Sequence, residues 1–317
     1  LAFTAGFGGG DFSSYMPSTS LFFPKRLQGT ALGIQAGVGN FGVTVAQFVT
    51  PWIIGFAIAG VGAPQIFTRG DVTKNMWLQN AAFWYVAPLA VLGVAAWWIL
   101  RSVPIKASFR DQLDIFSNKH TWFCTVTYIM TFGSFSGFAA SFPLLIREVY
   151  GGFPDAPDPL KYAFLGPLIG SIVRVVFGPV TDRTGGAIVT QIAGLGLIVC
   201  AMAMALSGLL TPQSVDQFPW FVGLMLAIFF FSGIGNASTF RQYPIIFSHS
   251  PRQGAGVLGW TAAVAAYGPF VFSILIGKSI MGLGSAAPFF VGAAAFYLLA
   301  TATNWWYYTR PGCEKPS

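Results

Sequence analysis

The chain has 317 residues, of which 54% are hydrophobic and only 9% are charged, and its mean hydropathy is +0.64. Soluble domains carry about 25% charged residues, so this composition excludes a soluble globular protein. The formal net charge is +7, and we attribute it to orientation in a membrane rather than to binding of nucleic acid.

Long apolar runs predict an all-α integral membrane protein. About 20 apolar residues are needed to cross about 30 Å of hydrocarbon, and the runs are continuous, whereas strands of a barrel would alternate apolar and polar residues. The chain starts at Leu1 without an initiator Met, a basic region or a cleavage site, so we interpret the start as a truncation. The predicted helices cover residues 1–23, 29–60, 77–100, 121–149, 160–181, 187–210, 218–247, 254–281 and 286–309.

The loops differ in charge. Assigning alternate loops to opposite sides places ten basic residues on one face and four on the other, and the first face is therefore predicted to be cytoplasmic. The ten are Lys25, Arg26, Arg101, Lys106, Arg110, Lys119, Arg183, Arg252, Arg310 and Lys315, and the four are Arg69, Lys74, Arg147 and Lys161.

The remaining basic residues lie within or near the spans. Arg241 and Lys278 are close to helix ends, where we expect their side chains to snorkel toward water. His120 and His249 also lie at predicted helix ends, where we expect solvated or capping roles. No metal site, cofactor site or catalytic nucleophile is predicted, so an enzyme is not expected.

Arg174 is the one basic residue placed near the midplane. It precedes Asp182 by eight residues, about 12 Å of helix, and its own helix has no acid at that depth. Two interpretations fit, binding of an anionic substrate or structural pairing with another helix. Four other side chains share this depth and are substrate-binding candidates if the first interpretation holds; they are Tyr128, Phe132, Asn40 and Phe12.

The stretch "QAGVGNFGVTV" is unusually rich in glycine for a membrane helix. Gly37, Gly39 and Gly42 remove side-chain bulk around Asn40, and we expect them to let neighbouring helices approach closely. A guanidinium, a phenol, an amide and flanking rings suit a small planar oxyanion.

An internal repeat relates the first predicted helix to the seventh. At a constant offset of 225, Gly8, Gly10, Ser13, Phe22, Gln28 and Gly29 are matched by Gly233, Gly235, Ser238, Phe247, Gln253 and Gly254, and Asp11 falls opposite Asn236. The copies share one orientation, which indicates parallel six-helix halves. Such halves, and the loop "GPVTDRTGG" with Asp182 and Arg183, resemble the major facilitator superfamily. The resemblance implies that Asp182 and Arg183 lock the two halves together in one state.

Two glycine-rich segments carry a narrower resemblance. "FFPKRLQGTALGIQAGVGNFGV" and "GVLGWTAAVAAYGPF" resemble the two nitrate signatures of the nitrate/nitrite porter family of that superfamily. The second segment contains Gly256, Gly259 and Gly268. This resemblance implies nine of twelve transmembrane helices, numbers four to twelve, with residues 1–110 belonging to the N-terminal half and residues 111–317 forming the complete C-terminal half.

The family binds nitrate or nitrite between two arginines and aromatic rings. By similarity, Arg174 is the second-half arginine, Tyr128 the phenol, Asn40 the signature amide, and Phe12 and Phe132 the flanking rings. The first-half arginine would belong to a helix that precedes this chain. Asp11 stands where similar members more often carry Asn, which leaves open a proton-coupling role or pairing with an arginine.

The resemblance implies a transporter of nitrate and nitrite that works by alternating access. It implies a monomer in the bacterial inner membrane, with no cofactor. Nitrate/nitrite exchange is slightly favoured over proton-coupled nitrate import. A major facilitator transporter of another small solute and a non-transporting receptor are the remaining alternatives.

Overall fold

The fold is described by a computed structural model. It covers residues 2–58, 62–69, 72–101 and 109–317, and for residues 2–11, 69, 72 and 109 it describes the backbone alone. Within these ranges the α-helices are α1 (Ala2–Phe22), α2 (Gln28–Ile53), α3 (Asn80–Phe83), α4 (Val86–Ile99), α5 (Phe109–Gln112), α6 (Lys119–Tyr128), α7 (Ser134–Tyr150), α8 (Leu165–Thr184), α9 (Gly186–Leu206), α10 (Phe218–Ile246), α11 (Pro251–Ala265), α12 (Gly268–Leu283) and α13 (Ala287–Asn304).

Seven helical stretches of the described chain are long and apolar enough to cross a membrane. They are Asn80–Ile99, Lys119–Tyr150, Pro159–Thr184, Gly186–Leu206, Val215–Ile246, Pro251–Leu283 and Ala287–Thr309. Helices α1 and α2 form where they are expected but lie outside this set, and both are rich in glycine and polar residues. The prediction of nine spanning helices therefore stays a prediction.

One segment forms strands in the connection between two predicted helices. The helix expected over residues 29–60 ends at Ile53, and an antiparallel hairpin follows. Its strands are β1 (Gln65–Arg69) and β2 (Val72–Met76), with Ile66 paired to Asn75 and Thr68 to Thr73. The stretch contains polar residues together with Ile66, Phe67, Thr68, Val72 and Thr73, which favour strands, and its two strands pair with each other.

Three predicted helices are interrupted. The helix expected over 121–149 consists of α6, a π-helical turn at Ile129–Gly133, and α7. The helix expected over 254–281 breaks between α11 and α12, and the one over 77–100 breaks between α3 and α4. Single π-turns inside helices are frequent at functional sites, and this one contains Phe132.

Helices α6 to α13 supply most of one continuous apolar core. Helix α10 lies at its centre and packs against both α8 and α9, while α13 packs against α9 and α12 against α7. The first two helices join this body through two crossings, α2 along α8 and α1 along α11. The core cluster includes Tyr128, Phe132 and Phe240, so it reaches the predicted substrate layer.

Candidate anion site and the glycine-lined crossing

Arg174 lies on α8 with 0% of its surface exposed. Its Nη2 donates to the Tyr128 hydroxyl at 3.4 Å, but Nε and Nη1 have no acceptor among the described residues. No described carboxylate lies within ion-pair distance of it. A buried guanidinium left without an acid is costly, because neither water nor a counter-ion compensates its charge. The arrangement is therefore suited to an anion that supplies the missing acceptors.

Four stacked aromatic rings lie on one side of the site, and we call them the aromatic cage: Phe12, Tyr128, Phe132 and Phe240. Three of them contact Arg174, and Phe12 stacks on Phe132 and Phe240. The Tyr128 ring stacks on Phe132 at 5.3 Å and on Phe240 at 4.8 Å between centroids. The Phe12 ring stacks on Phe132 at 5.3 Å with an interplanar angle of 10°. The Arg174 Cζ atom lies 4.8 Å from the Phe240 centroid and 6.0 Å from that of Phe132.

Arg174 and the cage together contain four of the five substrate-binding residues that the sequence predicts, namely Arg174, Tyr128, Phe132 and Phe12. Tyr128 is the last residue of α6 and Phe132 lies in the π-turn that follows, so the extra residue in that turn helps to aim both rings at Arg174. Phe12 comes from α1, in the other half of the repeat. The cage is therefore assembled from α1, α6, the π-turn and α10, which the predicted domain division assigns to both halves.

Phe240 was missed by the sequence reasoning. It lies on α10, is fully buried, and approaches Arg174 more closely than Phe132 does. The available signal was the repeat, since α10 corresponds to α1, which contributes Phe12. The offset of 225 places Phe12 opposite Ala237, so it points to the correct region of α10 but not to Phe240 itself.

Asn40 is buried on α2, and its Nδ2 has no acceptor among the described residues. No hydrogen bond joins it to Arg174 in the described chain. It lies one turn beyond Gly37, whose Cβ position would be 3.0 Å from the Ser171 carbonyl oxygen of α8. The Arg174 carbonyl oxygen faces Gly33, so Asn40 lies about two turns further along α2, just beyond the level of Ser171, and its amide donor is unpaired among the described residues.

The crossing of α2 and α8 depends on a different set of glycines from the predicted one. A Cβ added at Gly29 would lie 2.7 Å from the Gly178 carbonyl oxygen. A Cβ added at Gly33 would lie 3.1 Å from the Arg174 carbonyl oxygen, and one added at Gly37 would lie 2.5 Å from Val175 Cγ2. These three glycines are spaced by four and form one stripe along the helix.

The expected close approach is found at Gly37, whereas for Gly39 and Gly42 it stays a prediction. Both are exposed, and a Cβ at either position would meet no atom of the described chain within 4 Å. They lie on the faces of α2 that point away from α8.

The glycines of the second segment also allow close contacts. A Cβ at Gly268 would lie 2.3 Å from the Gly133 carbonyl oxygen, at the end of the π-turn. At Gly259 it would lie 3.0 Å from the Ser13 carbonyl oxygen of α1, and at Gly256 3.3 Å from Ile115 Cγ2. Gly259 therefore supports the crossing of α1 and α11, and Gly268 supports the turn that carries Phe132.

Asp182 joins the end of α8 to the start of α2. Its carboxylate accepts hydrogen bonds from the Gly29 and Thr30 amides at 2.8 Å and from the Thr30 hydroxyl at 2.7 Å. Arg241 Nε of α10 lies 3.0 Å from Asp182 Oδ1. The carboxylate thus satisfies free N–H groups at a helix N-terminus in the other half of the repeat.

Two arginines near Asp182 differ from what the sequence predicts. Arg241 does not snorkel, because its side chain is only 14% exposed and is paired with Asp182. Arg183, expected to share the lock, is exposed and has no ion-pair partner within the described ranges.

Two further positions complete the comparison with the sequence. His120 is buried rather than solvated, with Nδ1 2.9 Å from the Tyr308 hydroxyl and Nε2 3.1 Å from Glu314 Oε1. The side chain of Asp11 lies outside the described residues.

Comparisons with known proteins give the family. A family model described as Major Facilitator Superfamily matches residues 1–273. The probable nitrate/nitrite antiporter NarK2 of Thermus thermophilus is 62% identical over 320 residues, which cover 100% of this chain and 71% of that protein. The nitrate/nitrite transporter NarU of Escherichia coli is 35% identical over 335 residues, covering 98% of this chain and 70% of that protein. The nitrite extrusion protein of Bacillus subtilis is 24% identical over 310 residues, covering 96% and 70%. The chain therefore belongs to the nitrate/nitrite porter family of the major facilitator superfamily and is a multi-pass protein of the bacterial inner membrane.

Proposed function

We propose that the protein transports nitrate and nitrite across the membrane by alternating access, with the anion bound at Arg174 inside the aromatic cage. The observation that carries this proposal is the buried guanidinium with two unpaired donors, Nε and Nη1. An oxyanion supplies both the acceptors and the compensating charge. The names of the relatives agree, since they are described as nitrate/nitrite transporters and antiporters.

The proposed substrate fits the chemistry of the cage. Nitrate and nitrite are small, planar and weakly hydrated, so they lose little hydration energy between phenyl rings. The guanidinium offers planar donors that match their oxygens, and Tyr128 and Asn40 add neutral hydrogen bonds. A sugar would require many more polar partners than the cage provides.

We propose that the chain forms helices four to twelve of a twelve-helix transporter. Residues 1–110 would complete an N-terminal half, and residues 111–317 would form the C-terminal half. The chain spans 71% of the length of NarK2 and 70% of NarU, which leaves room for the three further helices and the first-half arginine of this proposal. We propose a monomer that needs no cofactor and has no enzymatic activity.

The lock at Asp182 gives a means of alternation. Its bonds to α2 hold the predicted cytoplasmic ends of α2, α8 and α10 together. We propose that these bonds break when the halves rock about the midplane and that Asp182, with Arg241, selects one of the two states. Arg183 contributes at most a surface charge to this contact.

Exchange of nitrate for nitrite is the favoured coupling mode. NarK2, 62% identical, is described as a probable antiporter. Proton-coupled nitrate import is the alternative, and Asp11 is the residue that would carry the proton. An Asp11→Asn protein whose uptake keeps its full pH dependence would exclude that role.

The test is uptake of labelled nitrate by the full-length protein in proteoliposomes. Arg174→Lys is expected to lose most transport, because an ammonium cannot reproduce the planar contacts of a guanidinium. Arg147→Lys, a surface arginine beside Glu148, is the matched control and should transport normally. Near-normal uptake by Arg174→Lys would refute the site.

The same preparation separates the coupling modes. Uptake that requires internal nitrite and ignores a proton gradient indicates exchange, and uptake driven by protons alone indicates symport. Saturable nitrate binding without flux would indicate a receptor. Another small solute that displaces nitrate from the protein and is itself transported faster would redirect the substrate assignment.

A further inference from the structure

Asn236 lies in the middle of α10 with 0% of its surface exposed. Neither its Nδ2 nor its Oδ1 has a hydrogen-bond partner in the described part of the chain. Burying an amide without partners is unfavourable, and native proteins rarely do so without water or a ligand. Other buried amides nearby are satisfied: Gln242, also on α10, donates to Asn304, which in turn donates to the Ala187 carbonyl oxygen and to Gln191.

The position of Asn236 on α10 points it toward Arg174. Gly233, Asn236 and Phe240 are separated by three and four residues and therefore share one helix face. At Gly233 a Cβ would lie 2.5 Å from the Gly170 carbonyl oxygen of α8, and the Phe240 ring lies 4.8 Å from Arg174 Cζ. Asn236 thus occupies the face that packs against α8, between the helix crossing and the aromatic cage.

Unpaired polar atoms from two other helices face the same region. Ser171, one turn from Arg174 on α8, is buried and its hydroxyl has no partner among the described residues. Its carbonyl oxygen faces Gly37 of α2, one turn from Asn40 with its free Nδ2. Three helices therefore each contribute an unsatisfied polar group to the stretch of α8 between Gly170 and Arg174, and such a group of unpaired buried polar atoms is unlike a packed apolar core.

We propose that Asn236 is a second amide ligand of the transported anion. Its Nδ2 donates to an oxygen of the oxyanion bound by Arg174, and its Oδ1 accepts from a water molecule that enters with the anion, since an oxyanion has no donor. This inference rests on the proposed function and extends its binding site to α10. A neutral amide is suited to the role because it adds a donor without a charge that would hold the anion too tightly for release.

The experiment measures the nitrate dissociation constant and the melting temperature of the full-length protein. Asn236→Ala and the similarly sized Asn236→Leu should raise the dissociation constant for nitrate about 10-fold, through loss of one hydrogen bond to a charged ligand. The melting temperature without nitrate should stay the same or rise, because removing an unpaired buried amide relieves its desolvation.

Ser238→Ala is the matched control. Ser238 is buried on the opposite face of α10, where it accepts a hydrogen bond from Thr190 at 2.8 Å. Its loss should lower the melting temperature and leave the nitrate dissociation constant unchanged. An unchanged dissociation constant in both Asn236 variants would overturn this inference alone. Failure of the wild-type protein to bind nitrate would overturn the proposed function, and the inference with it.

Discussion

Replacing Asp182 by Asn should weaken the contact that holds α2 against α8 and α10. The carboxylate accepts from two backbone amides and one hydroxyl and lies beside Arg241. An amide side chain has one acceptor oxygen, so in either orientation at least one N–H at the start of α2 loses its partner. The Arg241 guanidinium also loses the neighbouring charge.

The size of the effect follows from these contacts. A hydrogen bond to a charged group contributes about 1.5 to 3 kcal/mol, and a carboxylate at a helix N-terminus adds about 0.3 to 1 kcal/mol. The Asp182 and Arg241 side chains are only 8% and 14% exposed, so solvent screens little of the electrostatic interaction between them. We expect a loss of about 3 kcal/mol from the state in which these helix ends touch, which changes its ratio to the separated state about 100-fold.

Distances between spin labels at the cytoplasmic ends of α2 and α8 would measure that ratio in the full-length protein. In Asp182→Asn the long-distance population should grow strongly at the expense of the short one. Arg183→Gln, at the exposed neighbouring position, is the matched control and should leave the distribution unchanged. A wild-type distribution in Asp182→Asn would refute the assignment of the lock.

Two further predictions concern the helix crossing and the C-terminal tail. Gly33→Ala should lower stability by about 1 to 3 kcal/mol, since its Cβ would lie 3.1 Å from the backbone of α8; Gly292→Ala, on α13 with no atom of the described chain within 4 Å of its Cβ position, should be neutral or slightly stabilising. Thermal unfolding checks both, and equal losses in the two variants would contradict the stripe. Hydrogen bonds from Lys119 and His120 hold the pKa of Glu314 below its ordinary 4.5. Because the folded-state pKa of this carboxyl is lowered, its ionised form stabilises the docked tail above pH 4.5. This stabilisation is lost as the pH falls through the lower folded-state pKa. Limited proteolysis should therefore cut the tail of Glu314→Gln faster than that of the wild type at pH 7, and the difference should shrink below pH 4.5; a difference independent of pH would contradict the ion pair.

The helices and the depth of the site were predictable because membrane burial imposes simple length and polarity rules. Arg174, Tyr128 and Phe132 could be assigned to one layer by counting residues from helix ends at about 1.5 Å per residue. Their contact could not be derived in this way, since it depends on the π-turn at Ile129–Gly133, for which the sequence carries no simple signal.

The helix face on which a residue lies, and the residue it contacts, were harder to predict than its distance along the helix from the membrane surface. Glycine content in α2 points to Gly37, Gly39 and Gly42, whereas spacing by four points to Gly29, Gly33 and Gly37, the three glycines that contact α8. Arg241 could not be assigned, because depth alone suggested a solvated head group while its partner Asp182 lies on a helix 59 residues earlier. The hairpin after Ile53 is not predicted, because its two short strands lie in a polar connection between two long apolar runs.

Binding of an anion beside Arg174 within the aromatic cage is tested most directly by a high-resolution structure of the full-length protein with nitrate at saturating concentration. We expect planar density within hydrogen-bond distance of Arg174 Nε or Nη1, next to the rings of Phe132 and Phe240. Density for nitrate at another position, with the Arg174 donors still unoccupied, would show that the anion does not bind at this site.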